Sequence, residues 1–432
     1  MKVLPRLPVS LVILTTIIAP SLKADDWPQW GGPQHDIVWR ESGIVDKFST
    51  DGLLPRVWSV PVSEGYSGPA VAGGRVFLTD RIADENTERA LCFDADTGKQ
   101  LWVHSWPARY TISYPAGPRA TPVVSDGHVY IIGAVGHMFC LDVNDGSVSW
   151  QKHFGTQFGT ELPTWGMAAA PLVDGRKLIT LVGGQDNALI VAFDKVTGEE
   201  LWRSLNDEAV GYCPPVIYEF GGRRQLIIWH PNAVSSLDPE TGRVLWEYLW
   251  PIKAGLTIPM PRKVGDRLFL TSFYDGPLML QVSSDNAQLV WKGSSSSEIN
   301  TDGLHSIMPT PWVTKDHIFG VCSYGQLRAL DTETGNRLWE TREATGEGRW
   351  WNAFLIPHRA GDQNRFFLHN EQGDLIIANL SGDGYTEVSR AKLVEPTRAV
   401  NRRMTIWSHP AFAMKSVFAR NDRELVRVSL AK

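Results

Sequence analysis

The chain has 432 residues, and 42 Lys and Arg against 47 Asp and Glu give it a formal net charge of -5. Charges of both signs are interspersed and form no acidic or basic tail, which argues against nucleic acid or another polyanion as a partner. The 18 Trp residues are far more than an ordinary chain carries, and a repeat described below accounts for several of them.

The first 24 residues are typical of a secretory signal peptide. Two basic residues precede an apolar run at 7–19, and the small residue Ala24 is the expected cleavage site. The run is too short to span a bilayer comfortably. No Cys precedes Cys92, so the mature N-terminus has no residue for lipidation. We therefore expect an exported protein, periplasmic or secreted, without a membrane span or a lipid anchor.

One phrase recurs along the chain: an Asp, a turn that contains Gly, and a Trp eight residues after the Asp. It reads CFDADTGKQLW at 92–102 and ALDTETGNRLW at 329–339. Five copies end at Trp102, Trp150, Trp202, Trp246 and Trp339, and a worn copy without the Asp and the Gly, QVSSDNAQLVW, ends at Trp291; successive Trp residues are 44 to 52 residues apart. Self-similarity at this period indicates radially repeated four-stranded units, which is the signature of a β-propeller.

The unit at 119–150 shows how one repeat is expected to fold. Two apolar stretches, ATPVVSDG and HVYIIGAV, precede GHMFCLDV, and SVSW ends the unit. Asp126-Gly127 and Asp145-Gly146 are short hairpin signals, because Gly accepts the positive φ that such turns need. The Trp lies on the outermost strand, where its ring can fill the widening wedge between neighbouring blades. The phrase is therefore interpreted as structural.

Counting the units predicts an all-β, eight-bladed propeller of four-stranded antiparallel blades at 51–432, preceded by an N-terminal extension at 25–50. A seventh unit runs through 364–390, and the eighth has only three strands after residue 408. The missing strand is expected near Trp58, one repeat before the first full phrase, so that an N-terminal strand completes the C-terminal blade and removes its edges. Seven blades is the alternative if the seventh unit is an insertion.

The four cysteines are predicted to be buried, inert thiols. Cys92 and Cys140 occupy the same repeat position on neighbouring blades, about 10 Å apart across an intersheet gap, which is too far for a disulfide. Neither CxxC nor CxxCH occurs. The sequence therefore excludes c-type haem attachment and the usual Cys-rich zinc sites.

The AxDxxTGxxxW phrase resembles the repeat of the pyrroloquinoline-quinone (PQQ)-type propellers over nearly the whole mature chain. The opening DWPQWGGP at 25–33 also looks like the start of secreted PQQ-like repeat proteins. One branch of the family, the quinoprotein alcohol dehydrogenases, implies a Trp under the quinone, a Ca²⁺ ion, a catalytic Asp and often a disulfide between adjacent Cys. The other branch is the non-enzymatic lipoprotein of the outer-membrane β-barrel assembly machinery.

The functional residues of neither branch can be assigned to positions of this chain. This chain has no adjacent Cys, none of its motifs places the dehydrogenase Asp, and it lacks a lipidated Cys. The catalytic residues are therefore unknown, and no cofactor is assigned, although PQQ with Ca²⁺ stays a candidate. The resemblance is a specific marker of fold and a poor marker of activity.

A ligand site is expected where loops from each outer strand to the next inner strand gather around one mouth of the central channel. Trp165 and Trp351 are outside the repeat register, and each could stack on a planar ligand or a sugar, or simply plug the channel. Arg119 is placed to meet a carboxylate or phosphate, or a neighbouring acidic side chain. Tyr66 and Tyr212 occupy matching GY positions, which is equally typical of packing.

Other polar residues of these loops give weaker signals. His305 could act as a base or a metal ligand, but a lone His is more often only hydrogen-bonded. Glu161, Asn300 and Asp302 offer hard oxygen ligands, yet their spacing matches no known motif, and no metal site is predicted. Arg402 and Arg403 form a basic pair that a solvated surface explains.

We expect a non-catalytic binding or scaffold protein of the cell envelope that uses the central mouth for an envelope protein or a small molecule. The alternative is a PQQ- and Ca²⁺-dependent dehydrogenase that oxidises an alcohol or sugar, so the sequence leaves enzymatic activity open. Polysaccharide binding through the loop aromatics also fits the chemistry. Signatures of several other enzyme classes, GxSxG, the P-loop and HExxH, do not occur.

Overall fold

A computed structural model describes residues 26–361, 364–400 and 402–432. It contains eight four-stranded antiparallel sheets arranged as blades, and one two-stranded hairpin. The predicted all-β, eight-bladed propeller is confirmed, and the seven-bladed alternative is wrong because the seventh unit forms a complete sheet. The predicted signal peptide at 1–24 lies outside the described residues. Within those residues, no helix has the length and apolar character needed to cross a membrane.

The first half of the chain forms four blades, each with its strands in order from the inner to the outer edge. Strand β1 (Arg56–Pro61) comes first. Blade 1 contains β2 (Ala70–Ala72), β3 (Arg75–Ile82), β4 (Thr87–Asp94) and β5 (Gln100–Pro107). Blade 2 contains β6 (Val123–Ser125), β7 (His128–Ile132), β8 (His137–Asp142) and β9 (Val148–His153), followed by helix α1 (Phe154–Phe158). Blade 3 contains β10 (Leu172–Asp174), β11 (Lys177–Leu181), β12 (Ile190–Asp194) and β13 (Glu200–Ser204). Blade 4 contains β14 (Val216–Phe220), β15 (Arg223–His230), β16 (Ala233–Leu237) and β17 (Val244–Leu249), and a 3-10 turn (Lys253–Gly255) follows.

The second half forms the remaining blades and the hairpin. Blade 5 contains β18 (Arg262–Val264), β19 (Arg267–Ser272), β20 (Gly276–Val282) and β21 (Ala287–Lys292). Blade 6 contains β22 (Trp312–Val313), β23 (His317–Val321), β24 (Leu327–Asp331) and β25 (Arg337–Thr341). Blade 7 contains β26 (Ala353–Pro357), β27 (Arg365–Asn370), β28 (Asp374–Leu380) and β29 (Tyr385–Lys392). The hairpin is β30 (Arg398–Val400) and β31 (Arg403–Thr405), and blade 8 contains β32 (Ala411–Ala413), β33 (Ser416–Arg420) and β34 (Glu424–Ser429).

The repeated Trp residues join each blade to the next one. Five of them donate an indole N–H to a main-chain carbonyl in the last hairpin turn of the following blade; the pairs are Trp58–Ala95, Trp102–Val143, Trp150–Lys195, Trp291–Thr332 and Trp339–Ser381. The turn Gly of the following blade packs against the indole ring, as Gly198 does against Trp150. The repeat phrase is therefore an inter-blade contact, as the wedge-filling interpretation predicted.

The ring closes through strand β1, as predicted. It pairs antiparallel with β34, from Arg56 opposite Val428 to Pro61 opposite Glu424. Arg420, which is fully buried, strengthens this junction by donating hydrogen bonds to the carbonyls of Thr79 and Ser63. Blade 8 thereby gains its fourth strand, and no blade of the described chain is left with three.

The segment at 26–48, which we call the strap, runs along the inner strands before β1 begins. Trp27 exchanges two main-chain hydrogen bonds with Val71 of blade 1, and the carbonyl of Pro28 accepts the amide of Val124 in blade 2. Trp39 pairs with blade 7. The strap therefore contacts the inner strands around the central channel and places its own side chains inside it.

All four cysteines are free and buried, as predicted, and none is more than 3% exposed. Burial raises the pKa of the Cys92 and Cys140 thiols to about 12. These thiols are therefore protonated at neutral pH, and nothing about them indicates reactivity.

Candidate functional site

A cavity of about 270 Å³ lies where the loops between blades converge on the channel. All eight blades supply lining residues, and the strap supplies one more. The lining consists of Trp30, Tyr66, Tyr114, Arg119, Thr121, Trp165, Ala168, Ala170, Tyr212, Pro214, Ala254, Leu256, Ile258, Tyr274, Ile307, Met308, Trp350, Phe354, Trp407 and His409. We call this space the mouth cavity. It is at the place where the sequence predicted a site.

Aromatic side chains dominate the walls and are held by one another. The Tyr66 and Trp407 rings stack with centroids 6.3 Å apart. Other rings meet edge to face, among them Trp165 and Tyr212 at 5.7 Å. Such mutual packing limits rotamer freedom, so the walls are largely preformed for a flat or apolar ligand.

The inner end of the cavity is formed by Trp30 of the strap. Its ring packs edge to face on His409 at 4.3 Å. Hydrogen bonding fixes His409 in turn, because its Nε2 lies 2.6 Å from the hydroxyl oxygen of Thr121. Burial lowers the pKa of His409 to about 4, so this imidazole is neutral at physiological pH.

Arg119 is the one charged side chain among the lining residues. Its guanidinium donates to the main-chain carbonyls of Ser113, Tyr114 and Gly117 at 2.6 to 2.9 Å. These acceptors are neutral, and no carboxylate of the described residues lies within ion-pair distance of Arg119. Burial lowers the pKa of Arg119. Hydrogen bonds therefore fix the orientation of the Arg119 guanidinium in the cavity, but they do not neutralise its positive charge.

Two buried donors of the lining residues have no hydrogen-bond partner among the described residues. They are the Tyr66 hydroxyl and the indole N–H of Trp30. Two guanidinium groups approach the Tyr66 ring, those of Arg119 at 5.0 Å and Arg398 at 5.1 Å from its centroid. Buried polar groups in proteins are normally satisfied, so these two donors are available to an acceptor group of a ligand.

The structure brings together four of the six residues named from the sequence. Tyr66, Arg119, Trp165 and Tyr212 all line the mouth cavity. Trp351 and His305 do not belong to the lining.

Trp351 packs in the loop behind the cavity, with its ring against Gly346 and under the guanidinium of Arg403 at 5.1 Å. Its neighbour Trp350 faces the cavity instead. His305 is completely buried, with its Nε2 at 3.3 Å from the Asp302 carboxylate and its Nδ1 at 3.3 Å from the Phe273 carbonyl. Neither side chain therefore reaches the cavity.

Several lining residues were not singled out by sequence reasoning. Trp350 and Trp407 belong to loops recognised as aromatic, but the sequence does not say which of two adjacent Trp residues faces inward. Tyr114 also belongs to a loop recognised as aromatic, and the sequence does not show that its ring faces inward. Nothing in the sequence indicated that Trp30 lines the cavity, because it precedes the first repeat and reaches the cavity only through the path of the strap.

A buried carboxylate holds the hairpin beside the cavity. Glu371 is completely buried and accepts hydrogen bonds from the Arg403 guanidinium and the Trp407 indole. Burial raises the pKa of Glu371. Arg402 is exposed, as a solvated surface requires, but Arg403 is paired and partly buried, which corrects the interpretation of both residues as solvated. Arg403 therefore positions Trp407 through their shared partner.

The residues present do not fit a Ca²⁺ ion in the mouth cavity. Among the described residues, no carboxylate or amide side chain lines it, although Ca²⁺ prefers six to eight oxygen ligands. Glu161, Asn300 and Asp302 are all exposed and outside the lining. Within the described chain, no group of three or more His, Cys, Asp and Glu side chains could hold a metal ion. A PQQ site of the kind that needs Ca²⁺ is therefore not supported by the donor set.

A second polar arrangement occurs within blade 4. His230 Nδ1 meets the Asp207 carboxylate, and its Nε2 lies 3.1 Å from the Ser235 hydroxyl. This order resembles a nucleophilic triad. However, Ser235 is completely buried inside the sheet and also donates to Glu247 at 3.0 Å. Substrate could not reach the hydroxyl, so this chain of hydrogen bonds is structural.

Comparison with known proteins identifies the family. A family model described as outer membrane protein assembly factor BamB matches residues 86–252 and 230–431. The chain belongs to this family of PQQ-like β-propellers.

Members of the family share moderate identity with the chain. Outer membrane protein assembly factor BamB of Yersinia pestis is 26% identical over 353 residues, which cover 78% of this chain and 71% of that protein. Quinoprotein ethanol dehydrogenase of Pseudomonas aeruginosa is 22% identical over 215 residues, covering 43% of this chain and 34% of the enzyme. The BamB crystal structure from Moraxella catarrhalis superposes with a TM-score of 0.59 at 16% identity, over 87% of this chain and 98% of that one, which shows a shared fold. In sequence, the chain is thus more distant from the dehydrogenases than from the BamB proteins.

Proposed function

We propose that this protein is an exported, non-catalytic binding protein of the cell envelope and that the mouth cavity is its binding site. One observation carries the proposal: in the part of the chain that the structure describes, the cavity lining combines nine Trp, Tyr and Phe rings with a single charged side chain, Arg119, and no carboxylate. The similarity to BamB proteins, which are named as assembly factors and not as enzymes, supports the same conclusion.

The titratable groups of the cavity are poorly suited to proton transfer. A general acid or base works best with a pKa near the operating pH. His409 has its pKa lowered to about 4, and its Nε2 is already hydrogen-bonded to Thr121. Burial raises the pKa of Tyr66 and raises that of Tyr212 to about 12. These groups can bind and orient a ligand, but none is poised to exchange a proton with it.

The binding site can be tested with N-phenyl-1-naphthylamine, an uncharged probe that fluoresces in apolar surroundings. We expect saturable binding that is weakened at least tenfold by Trp350→Ala, because Trp350 lines the cavity. Trp351→Ala is the matched control, since it removes the same side chain from the same loop without touching the lining. Equal losses in the two variants, at unchanged melting temperature, would refute the assignment of the site.

A quinoprotein dehydrogenase is the second candidate, because the ethanol dehydrogenases match part of the chain and the cavity walls are aromatic. PQQ would then pack between these walls and supply the electron-accepting chemistry. The test is a titration with PQQ, with and without Ca²⁺, followed by dye-linked oxidation of alcohols and sugars. We expect no Ca²⁺-dependent binding and no turnover. Quinone-dependent oxidation of any substrate would overturn the non-catalytic proposal.

Export is part of the proposal and rests on the N-terminal sequence. Cleavage after Ala24 would leave Asp25 as the first residue of the mature protein. Mass spectrometry of the protein from its native host should find this N-terminus in an envelope or extracellular fraction. Recovery of the protein with Met1 retained, in the cytoplasmic fraction, would contradict it.

A further inference from the structure

We infer that the mouth cavity binds a small aromatic monocarboxylate, in which one carboxylate meets Arg119 and a flat ring packs on the aromatic walls, without a metal ion. The inference rests on the proposed function, since it names the ligand class of the same site. Different side chains indicate the charge of the ligand, the position of its acceptor group and its flat shape.

The charge of the ligand follows from the ion pairs around the cavity. Three cations around the cavity are already paired: Arg349 with Glu298 at 2.8 Å, Arg398 with Asp422, and Arg403 with Glu371. Arg119, the one charged side chain of the described lining, donates only to neutral carbonyls. A partly buried charge with no counter-ion in contact gains from a ligand that supplies one. A single cation in the lining favours a ligand with a single negative charge and disfavours a polyanion.

The position of the acceptor is marked by Tyr66. Its unpaired hydroxyl lies on a ring that the Arg119 guanidinium faces at 5.0 Å. A carboxylate has two oxygens, so it can accept from a hydroxyl and a guanidinium at once. Such a group would satisfy the orphaned donor and neutralise Arg119 in the same step.

The body of the ligand is defined by the remaining walls. Trp165, Trp350 and Trp407 present indole rings, and Leu256, Ile258 and Ile307 add aliphatic surface. Sugars are held by several side-chain carboxylates and amides as well as by rings, and the described lining residues include no carboxylate or amide side chain. A volume of about 270 Å³ is at the small end for ligand pockets. A fused aromatic ring therefore suits this space better than a saccharide.

The test compares 2-naphthoate with 2-naphthamide, which has the same shape and no charge, by isothermal titration of the full-length mature protein. We expect 2-naphthoate to bind at least tenfold more tightly, with no change after EDTA treatment. Arg119→Met should abolish this preference, and Arg119→Lys should keep part of it, since the charge remains. Arg402→Gln is the matched control: it removes an exposed positive charge beside the cavity and should leave the preference intact.

Each outcome bears on the inference. Equal affinities in the wild-type protein, or a preference that survives Arg119→Met, would overturn it. If 2-naphthamide binds equally well and Trp350→Ala weakens it, the binding site stands and only the charge assignment fails. If neither compound binds, the ligand class is wrong, and the titration with N-phenyl-1-naphthylamine decides the binding site separately. A parallel titration with acetyl-Gly-Phe and its C-terminal amide distinguishes the sources of such a carboxylate: a preference for the acid that exceeds that of 2-naphthoate would identify a peptide C-terminus as the ligand.

Discussion

Gly198→Ala should destabilise the protein more than Gly175→Ala, although both glycines lie in hairpin turns of blade 3. Both have positive φ, +74° at Gly198 and +59° at Gly175. A methyl group on Gly198 would lie 2.7 Å from Cδ2 of Trp150. A methyl group on Gly175 would meet nothing within 4 Å. The pair therefore separates the cost of backbone strain from the cost of disturbing the inter-blade contact.

The expected magnitudes follow from these contacts. An Ala in the left-handed region costs about 1–2 kcal/mol, and this applies to both variants. Trp150 cannot easily move away, because it is 9% exposed and its indole N–H donates to the Lys195 carbonyl at 3.1 Å. Overpacking of this kind adds about 1–3 kcal/mol. We therefore expect losses of about 1–2 kcal/mol for Gly175→Ala and about 2–5 kcal/mol for Gly198→Ala.

Equilibrium unfolding in guanidinium chloride measures the difference, provided that the m-value is the same in both variants and the wild type. Fluorescence of the buried Trp residues and far-UV circular dichroism should give coincident transitions. If the two variants lose the same free energy within about 0.5 kcal/mol, the contact between the turn Gly and the preceding Trp does not hold the blades together. The structural interpretation of the repeat phrase would then be refuted.

Three further predictions concern other parts of the ring. Arg420→Met should cost about 1–3 kcal/mol in the free energy of unfolding, because it removes the guanidinium that donates to the Ser63 and Thr79 carbonyls at the blade 8–blade 1 junction; a loss below about 0.5 kcal/mol in denaturant titrations would contradict this role. Burial opposes ionisation of Asp302, but hydrogen bonds from the Ser294 hydroxyl and nearby amides lower its pKa overall. This acid therefore stabilises the fold above its unfolded-state pKa and loses that effect as the pH falls. Asp302→Asn should destabilise the protein most near pH 7 and progressively less as the pH falls below the unfolded-state pKa, and a difference that grows on acidification would be inconsistent with this sign. Finally, the four thiols should not react with Ellman's reagent until the protein is unfolded, and rapid labelling of the native protein would show that one of them is accessible.

The sequence predicted the ring of blades and its closure well, because short motifs that recur at a fixed spacing determine both. Most repeats carry their own turn Gly and Trp, and the closing strand at Trp58 could be found by counting one period back from Trp102. The lining of the cavity was predicted only in part. Adjacent loop residues point in opposite directions, so Trp350 and Trp351 look alike in the sequence although one lines the cavity and the other does not. The contribution of Trp30 depends on a long-range path that no spacing encodes.

The pairing of β1 with β34 has a consequence for the order in which this molecule is completed. Arg56 and its ion-pair partner Glu424 are 368 residues apart in sequence. The entropic cost of closing so long a loop grows only with the logarithm of its length, and it exceeds that of a 30-residue loop by about 2 kcal/mol. The long separation therefore costs little free energy, but it delays closure of the ring. Strand β1 is synthesised first and can pair only after β34, the last strand, has been synthesised. Because the ring of Trp30 packs on His409 near the C-terminus, this wall of the mouth cavity is completed only when synthesis is nearly finished, and a ligand that needs it can bind only to a nearly complete chain.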